Sequence, residues 1–255
     1  MAKLIKRDFN KDDYRDVSQF YNVIHKNFDL NTEGLRYILK VIDNIPRVGI
    51  EGKMVLDAGC GYQARVVRML HEKYCPGFVC GIDVNEENIK HCKSLGLEHT
   101  EFVVGDLDKI ELGSNKYDLV ICEGVLMYCN EPLNVLKKLI NATKSDGHLL
   151  LGIYCWKFPY TVISSLLRKL GKYFQIKRVF NKIGGKYYTL VNIVDLIFVP
   201  VEKFFSINDF KAYLEKQGLS IEYCDFVPSF FPWRKGSKIV TRLVGNYYYH
   251  IIVKE

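Results

Sequence analysis

The chain has 255 residues, 48% of them apolar and 25% charged, the balance of a globular protein long enough to bury a substantial core. The first residues, Met1-Ala2-Lys3-Leu4-Ile5-Lys6-Arg7, hold no long apolar run and no small-residue cleavage site, so no signal peptide is expected. No run reaches about 18 uninterrupted apolar residues, so no transmembrane helix is expected and the reading is cytoplasmic.

The formal net charge of +7 is unevenly spread. Lys157 to Tyr188 contains Lys157, Arg168, Lys169, Lys172, Lys177, Arg178, Lys182 and Lys186, and no Asp or Glu. The cysteines, at 60, 75, 80, 92, 122, 129, 155 and 224, form no C-x-x-C pair. They read as free, mostly buried thiols, and no metal site is expected from them or from the histidines.

In chain order, apolar residues at Val17, Phe20, Tyr21, Val23 and Ile24 predict a first helix. Asn31-Thr32-Glu33 opens a second, with Leu35, Ile38, Leu39, Ile42 and Ile45, closed by Pro46. A strand at Met54-Val55-Leu56 then runs into Gly59-Cys60-Gly61 and a helix from Ala64 to Lys73. Phe78 to Ile82 is a second strand ending at Asp83, and Glu86 to Leu95 a helix. Thr100 to Val104 is a third strand, ending at Gly105-Asp106. Tyr117 to Cys122 is a fourth, and Pro132 to Thr143 a helix. A turn at Asp146-Gly147 leads to a fifth strand, His148 to Ile153. Beyond it come the basic, aromatic stretch 157–200, a helix with Ser206 as N-cap, and strands at Leu219–Phe226 and Tyr247–Lys254. Strands apolar throughout and alternating with helices predict a parallel sheet covered on both faces.

The glycine loop admits two ligands on spacing alone. Gly59-x-Gly61-x-x-Ala64 after a strand, with Asp83 about 20 residues on, fits a dinucleotide. It equally fits S-adenosylmethionine. Asp57 favours the second, because a carboxylate two residues before Gly59 repels a pyrophosphate and attracts an ammonium group. Asp106 at the end of the third strand suits an adenine amino group as acceptor. The fourth strand ends at Glu123-Gly124-Val125-Leu126, at the edge where ligands of such sheets bind.

The run Val55-Leu56-Asp57-Ala58-Gly59-Cys60-Gly61, then Gly81-Ile82-Asp83, Gly105-Asp106, Tyr117-Asp118-Leu119-Val120 and Asp146-Gly147-His148-Leu149-Leu150, resembles the class I S-adenosylmethionine-dependent methyltransferases. The likeness is to the small-molecule, ubiquinone/menaquinone-type or type 11 group. It implies an α/β, Rossmann-like, mostly parallel sheet of seven strands with helices on both faces and an antiparallel last strand. It also implies four parts: an N-terminal helical cap over 1–48, the cofactor-binding core over 49–156, a basic lid insertion over 157–205, and a C-terminal helix with two closing strands over 206–255.

The resemblance further implies that Gly59 and Gly61 line the methionine moiety, with Asp57 near its amino group. Asp83 would bind the ribose, Val84 pack on adenine, Asp106 meet its amino group, Leu107 flank the ring and Glu123 lie near the ligand. Two departures stand out: neither Gln63 nor Ala64 is the glycine often found there, and no histidine lies near Met127-Tyr128. Tyr128, Glu123, His25, Tyr154 and Tyr187 are candidate catalytic groups by position. The resemblance implies S-adenosylmethionine as cofactor, leaving as S-adenosylhomocysteine, with no metal expected. The expected acceptor is a small molecule, anionic or lipid-like, with the segment 157–188 either a solvated lid face or a contact to an anionic ligand or membrane surface. Nucleic acid is disfavoured, since the fourth strand lacks an Asn/Asp-Pro-Pro-aromatic ending. A non-catalytic, ligand-binding member of the fold and an NAD(P)-dependent oxidoreductase stay open as alternatives, as does the oligomeric state.

Overall fold

The computed structural model describes residues 4–5, 38, 41–43, 49–155, 204–226 and 248–254. The expected helix over 13–27, the basic segment 157–200 and most of the N-terminal cap lie outside these residues.

Seven strands form one sheet: β1 (Met54–Ala58), β2 (Phe78–Asp83), β3 (Thr100–Val104), β4 (Tyr117–Glu123), β5 (Thr143–Tyr154), β6 (Ser220–Phe226) and β7 (Tyr248–Lys254). Their order is β3-β2-β1-β4-β5-β7-β6. The first five are mutually parallel, and β7 runs antiparallel to both β5 and β6. A two-residue ladder, Leu4–Ile5 against Phe204–Phe205, stands apart.

The crossovers are α1 (Arg65–Tyr74), α2 (Glu86–Ser94) and α3 (Pro132–Ala142), with α4 (Ile207–Lys216) leading into β6. Alternate strand residues feed two cores. Leu56, Ile82, Val120 and Leu149 pack with Leu136 and Leu139 of α3 and with Phe210 and Leu214 of α4. Val55, Val79, Ile121 and Leu150 pack with Val67 and Leu70 of α1, Ile89 of α2, and Ile38, Val41 and Ile42. This period-2 division of wholly apolar strands is what a sheet covered on both faces requires. It makes the fold Rossmann-like α/β. Among the described residues no helix is long and apolar enough to cross a membrane.

The turn expected at Asp146-Gly147 is absorbed into β5. Thr143 pairs with Tyr117, and the register then shifts so that Leu119 pairs with His148. Residues 144–147, unpaired with β4, bulge out between these two registers.

The strand order sets where a candidate site lies. β1 and β4 are neighbours, yet the chain leaves β1 toward β2 and β3 and returns to β4 on the other side. Their carboxyl ends therefore bound the crevice at the switch point, where ligands of open α/β sheets bind.

Candidate cofactor and substrate site

Asp57 lies in β1 one residue before its end and is only 2% exposed. Its Oδ2 is buried with no hydrogen-bond partner among the described residues. Burial, then the like charges of Asp83 and Glu123, push its pKa up to about 7, against a smaller opposing pull from Arg65. Carboxylates from β2 and β4 thus bear on the buried Asp57 of β1 at one sheet edge. Like charges brought together out of water favour whatever cation can join them.

The loop after β1 turns sharply. Gly59 has φ +99° and Gly61 φ +67°. A Cβ on Gly59 would collide with Val125, whereas one on Gly61 would enter open space. The N–H groups of Gly59 and Cys60 both donate to the Ile82 carbonyl, at 2.8 and 2.9 Å. From below, the buried Cys92 thiol of α2 reaches the carbonyls of Gly61 and Tyr62, at 3.2 and 3.4 Å. Ala64, next in the loop, sits in the left-handed region at φ 44°, ψ 45°, fully buried. A glycine there would adopt that conformation without strain; alanine holds it at a cost of about 1–2 kcal/mol. No side chain caps the α1 N-terminus that follows.

Asp83, ending β2, organises the loop. Its Oδ2 accepts the Gly61 N–H at 3.0 Å, and its Oδ1 accepts the Asn85 N–H at 2.8 Å and Asn88 Nδ2 at 3.0 Å. Burial raises its pKa against these three bonds. A carboxylate has about four lone-pair positions, so Oδ2 keeps one for a further donor. Asn85 meanwhile caps α2, accepting from the N–H groups of Glu87 and Asn88. Val84, between them, is 48% exposed, unusually open for a large apolar residue in this fold.

Asp106 follows β3. Its Oδ1 accepts the Asp108 N–H at 3.0 Å, and its Oδ2 pairs with the exposed Lys109 at 2.9 Å. Leu107 is buried beside it. Glu123 is the last residue of β4 and half-buried. Tyr128 ends a single 3-10 turn, Leu126–Tyr128, that continues from β4, and Tyr154 ends the adjacent β5. His25 and Tyr187 lie outside the described residues.

All eight residues expected to hold the cofactor therefore come from the carboxyl ends of four adjacent strands, β3, β2, β1 and β4, or the residues just after them. Asn85, Asn88 and Cys92 were not anticipated. An Asn before Glu86-Glu87 is a helix-start signal that points to the first; the other two depend on how α2 docks against the loop. No cluster of three or more His, Cys, Asp or Glu among the described residues could hold a metal.

Asp118, part of the motif at the start of β4, lies elsewhere. It accepts the Met54 N–H at 2.9 Å and pairs with Lys144 at 3.0 Å, at the strands' amino ends. Its motif role is structural.

Residues 51–194, more than half of the chain, match the methyltransferase domain family. A tRNA U34 carboxymethyltransferase of Sulfurovum sp. is 29% identical over 116 residues, which is 43% of this chain and 36% of that protein. A ubiquinone biosynthesis O-methyltransferase of Vibrio campbellii is 28% identical over 124 residues, 47% of this chain and 49% of that protein. The chain thus spans less than half the length of either relative. An S-adenosylmethionine dependent methyltransferase of known structure from Mesorhizobium loti shares the fold. Its TM-score is 0.62 at 15% identity, over 89% of this chain and 100% of that one. With the sheet order, the glycine loop and the family match in agreement, this chain belongs to the class I S-adenosylmethionine-dependent methyltransferases.

Proposed function

We propose that the chain binds S-adenosylmethionine across the carboxyl ends of β1 to β4 and transfers its methyl group to a small-molecule acceptor. The observation that carries this reading is the buried, unpartnered Asp57 Oδ2, on which the like charges of Asp83 and Glu123 act. Such a cluster suits a ligand with an ammonium group and a sulfonium, and opposes a pyrophosphate.

The donor set fits that ligand part by part. Asp57 accepts from the ammonium, and Gly59 and Gly61 let the backbone approach the methionine chain. The remaining Asp83 lone pair accepts a ribose hydroxyl. Val84 and Leu107 flank the adenine, and Asp106 accepts from its amino group. Glu123 borders the methyl end, with Tyr128 and Tyr154 placed to orient the acceptor or take its proton. When bound, S-adenosylmethionine supplies an electrophilic methyl on sulfur, open to in-line displacement. The chain's own part is to hold the acceptor atom in line and exclude water; in favourable cases positioning lowers a barrier by about 7–11 kcal/mol.

The basic segment 157–188, read as a lid over a core of residues 49–156, favours an anionic or lipid-like acceptor. The thiols of the described cysteines are all free, in keeping with a cytoplasmic setting. The tRNA-directed relative, together with that same basic segment, supports tRNA as a second acceptor class.

Calorimetry with S-adenosylhomocysteine tests the cofactor reading: the native chain binds and Asp83→Ala does not. No binding to the native chain sinks it. Transfer of a labelled methyl group into separate pools of polar metabolites, lipids and tRNA then assigns the acceptor. Label appearing only in tRNA replaces the small-molecule reading with the second one.

A further inference from the structure

The loop after β3 is fastened to α3 at two points that the cofactor reading does not use. Asp108 Oδ2 accepts the Asn130 N–H at 2.7 Å, and its Oδ1 accepts the Glu131 N–H at 2.8 Å, just ahead of α3. Glu131, the N-cap of α3, makes no side-chain cap of its own, and Pro132 follows it. In return, Lys138 of α3 sends its ammonium back to the loop. It donates to the carbonyls of Leu107 at 3.3 Å, Asp108 at 3.0 Å and Ile110 at 3.2 Å.

The chemistry of this pair is specific. An ammonium has three donors and here meets three carbonyls, so the bend of residues 107–110 is set by one point charge. Lys138 is itself half-buried, where a hydrogen bond to a charged group is worth more than on the open surface. Inside the bend, Asp106 accepts the Asp108 N–H, and its carbonyl accepts from Lys109 and Ile110 at 2.8 and 2.7 Å. The Asp106 carboxylate is thus held on Oδ1 by residue 108, with the exposed Lys109 on Oδ2.

We propose that Lys138 and Asp108 are positioning residues for adenine recognition: together they hold the 106–110 loop so that the Asp106 carboxylate can read a purine amino group. This rests on the cofactor reading above. Neither residue touches the purine; both act through Asp106 and Leu107.

Titration calorimetry of the full chain with S-adenosylhomocysteine and with S-inosylhomocysteine, which carries oxygen in place of the purine amino group, tests it. The native chain prefers the adenosyl ligand on the order of 100-fold, the worth of one hydrogen bond to a charged group. In Lys138→Met and in Asp108→Asn that ratio narrows by about tenfold, mostly through weaker adenosyl binding. Lys137→Met, which removes an exposed charge from the same helix, leaves the ratio unchanged. Circular dichroism confirms folding, and if Lys138→Met does not fold, Asp108→Asn decides. A ratio unchanged in the folded variants, or both ligands weakened equally, overturns the proposal, since a merely structural role moves both together. A native chain that binds both ligands equally also overturns it, by removing the adenine contact that the clamp serves. A native chain that binds neither overturns the cofactor reading itself, and this proposal with it.

Discussion

A Cβ placed on Gly59 would fall within the van der Waals envelope of Val125 Cγ2, so the loops leaving β1 and β4 touch with no room for one more carbon. Gly59→Ala should therefore destabilise the chain by about 2–4 kcal/mol, combining overpacking with backbone strain at φ +99°. Adding Val125→Ala should recover the overpacking share, about 1–3 kcal/mol, and leave the strain. Urea denaturation of the two single variants and the double variant reads the coupling. If the two effects simply add, the contact is not what forbids a side chain at 59.

Asp57 should make both stability and ligand binding depend on pH. Its folded pKa of about 7 lies above the usual carboxylate value, so between about pH 4 and 7 the folded chain holds more protons than the unfolded one. Its contribution therefore becomes steadily less favourable as pH rises through that window. Asp57→Asn should stabilise the ligand-free chain at pH 8 by a few kcal/mol, on the order given by proton linkage, and flatten the profile. The same variant should bind S-adenosylhomocysteine about 10- to 100-fold more weakly at pH 7.5. Native affinity should climb from pH 6 toward 7.5 as Asp57 ionises, while the ligand's amine stays protonated. Calorimetry across that range checks the profile. An Asp57→Asn chain that keeps the acidic limb would show that another group sets it.

Asp118 should behave in the opposite sense. Burial raises its pKa, but the Met54 N–H and the Lys144 ammonium, with Lys53 behind, outweigh that and hold it below the usual range. Its stabilisation is then present above about pH 4 and is lost as pH falls through the depressed value. Asp118→Asn should cost about 1–2 kcal/mol at pH 7 and almost nothing near pH 2, with unchanged affinity for S-adenosylhomocysteine. Thermal melts at the two pH values and one titration suffice. A drop in affinity would tie this residue to the ligand edge after all.

Thiol reactivity should be sharply uneven. Cys75 is exposed, while burial raises the thiol pKa of Cys80, Cys122 and Cys155. For Cys60 a hydrogen bond donated to Cys92, and then burial, do the same. At pH 8 a limiting amount of iodoacetamide should label Cys75 first and reach these four only on denaturation. Peptide mass mapping reads the order. Rapid native labelling of Cys60 would mean that the glycine loop opens in the free chain.

The strands that build the site are legible because their residues are apolar on both faces. Thr100–Val104 has the same limits in sequence and structure, and β1, β2 and β4 differ by a residue or two. The Asp146-Gly147 turn falls inside β5, as a bulge between two stretches paired with β4. The placement of Asp57, Asp83 and Asp106 at adjacent strand ends follows from the βαβ rhythm alone. What the sequence could not carry is long-range: the three carbonyls on Lys138 lie 28 to 31 residues away from it. Nothing in a lysine flanked by Lys137 and Leu139 distinguishes it from a solvated one before α3 docks. Asp118 was legible as part of a motif, but its structural task appears only when Met54 and Lys144 arrive beside it.

The crowding of Asp57, Asp83 and Glu123 has a consequence for the chain's lifetime. A ligand that neutralises them binds the folded state alone and shifts folding toward it, by about 2.7 kcal/mol at a hundred times its dissociation constant. Unfolded chain is what proteases remove, so the amount of this protein would track the supply of methyl donor. Scarcity of the donor would lower not only the rate of each molecule but the number of molecules, a link written in the repulsion that Asp83 and Glu123 exert on Asp57.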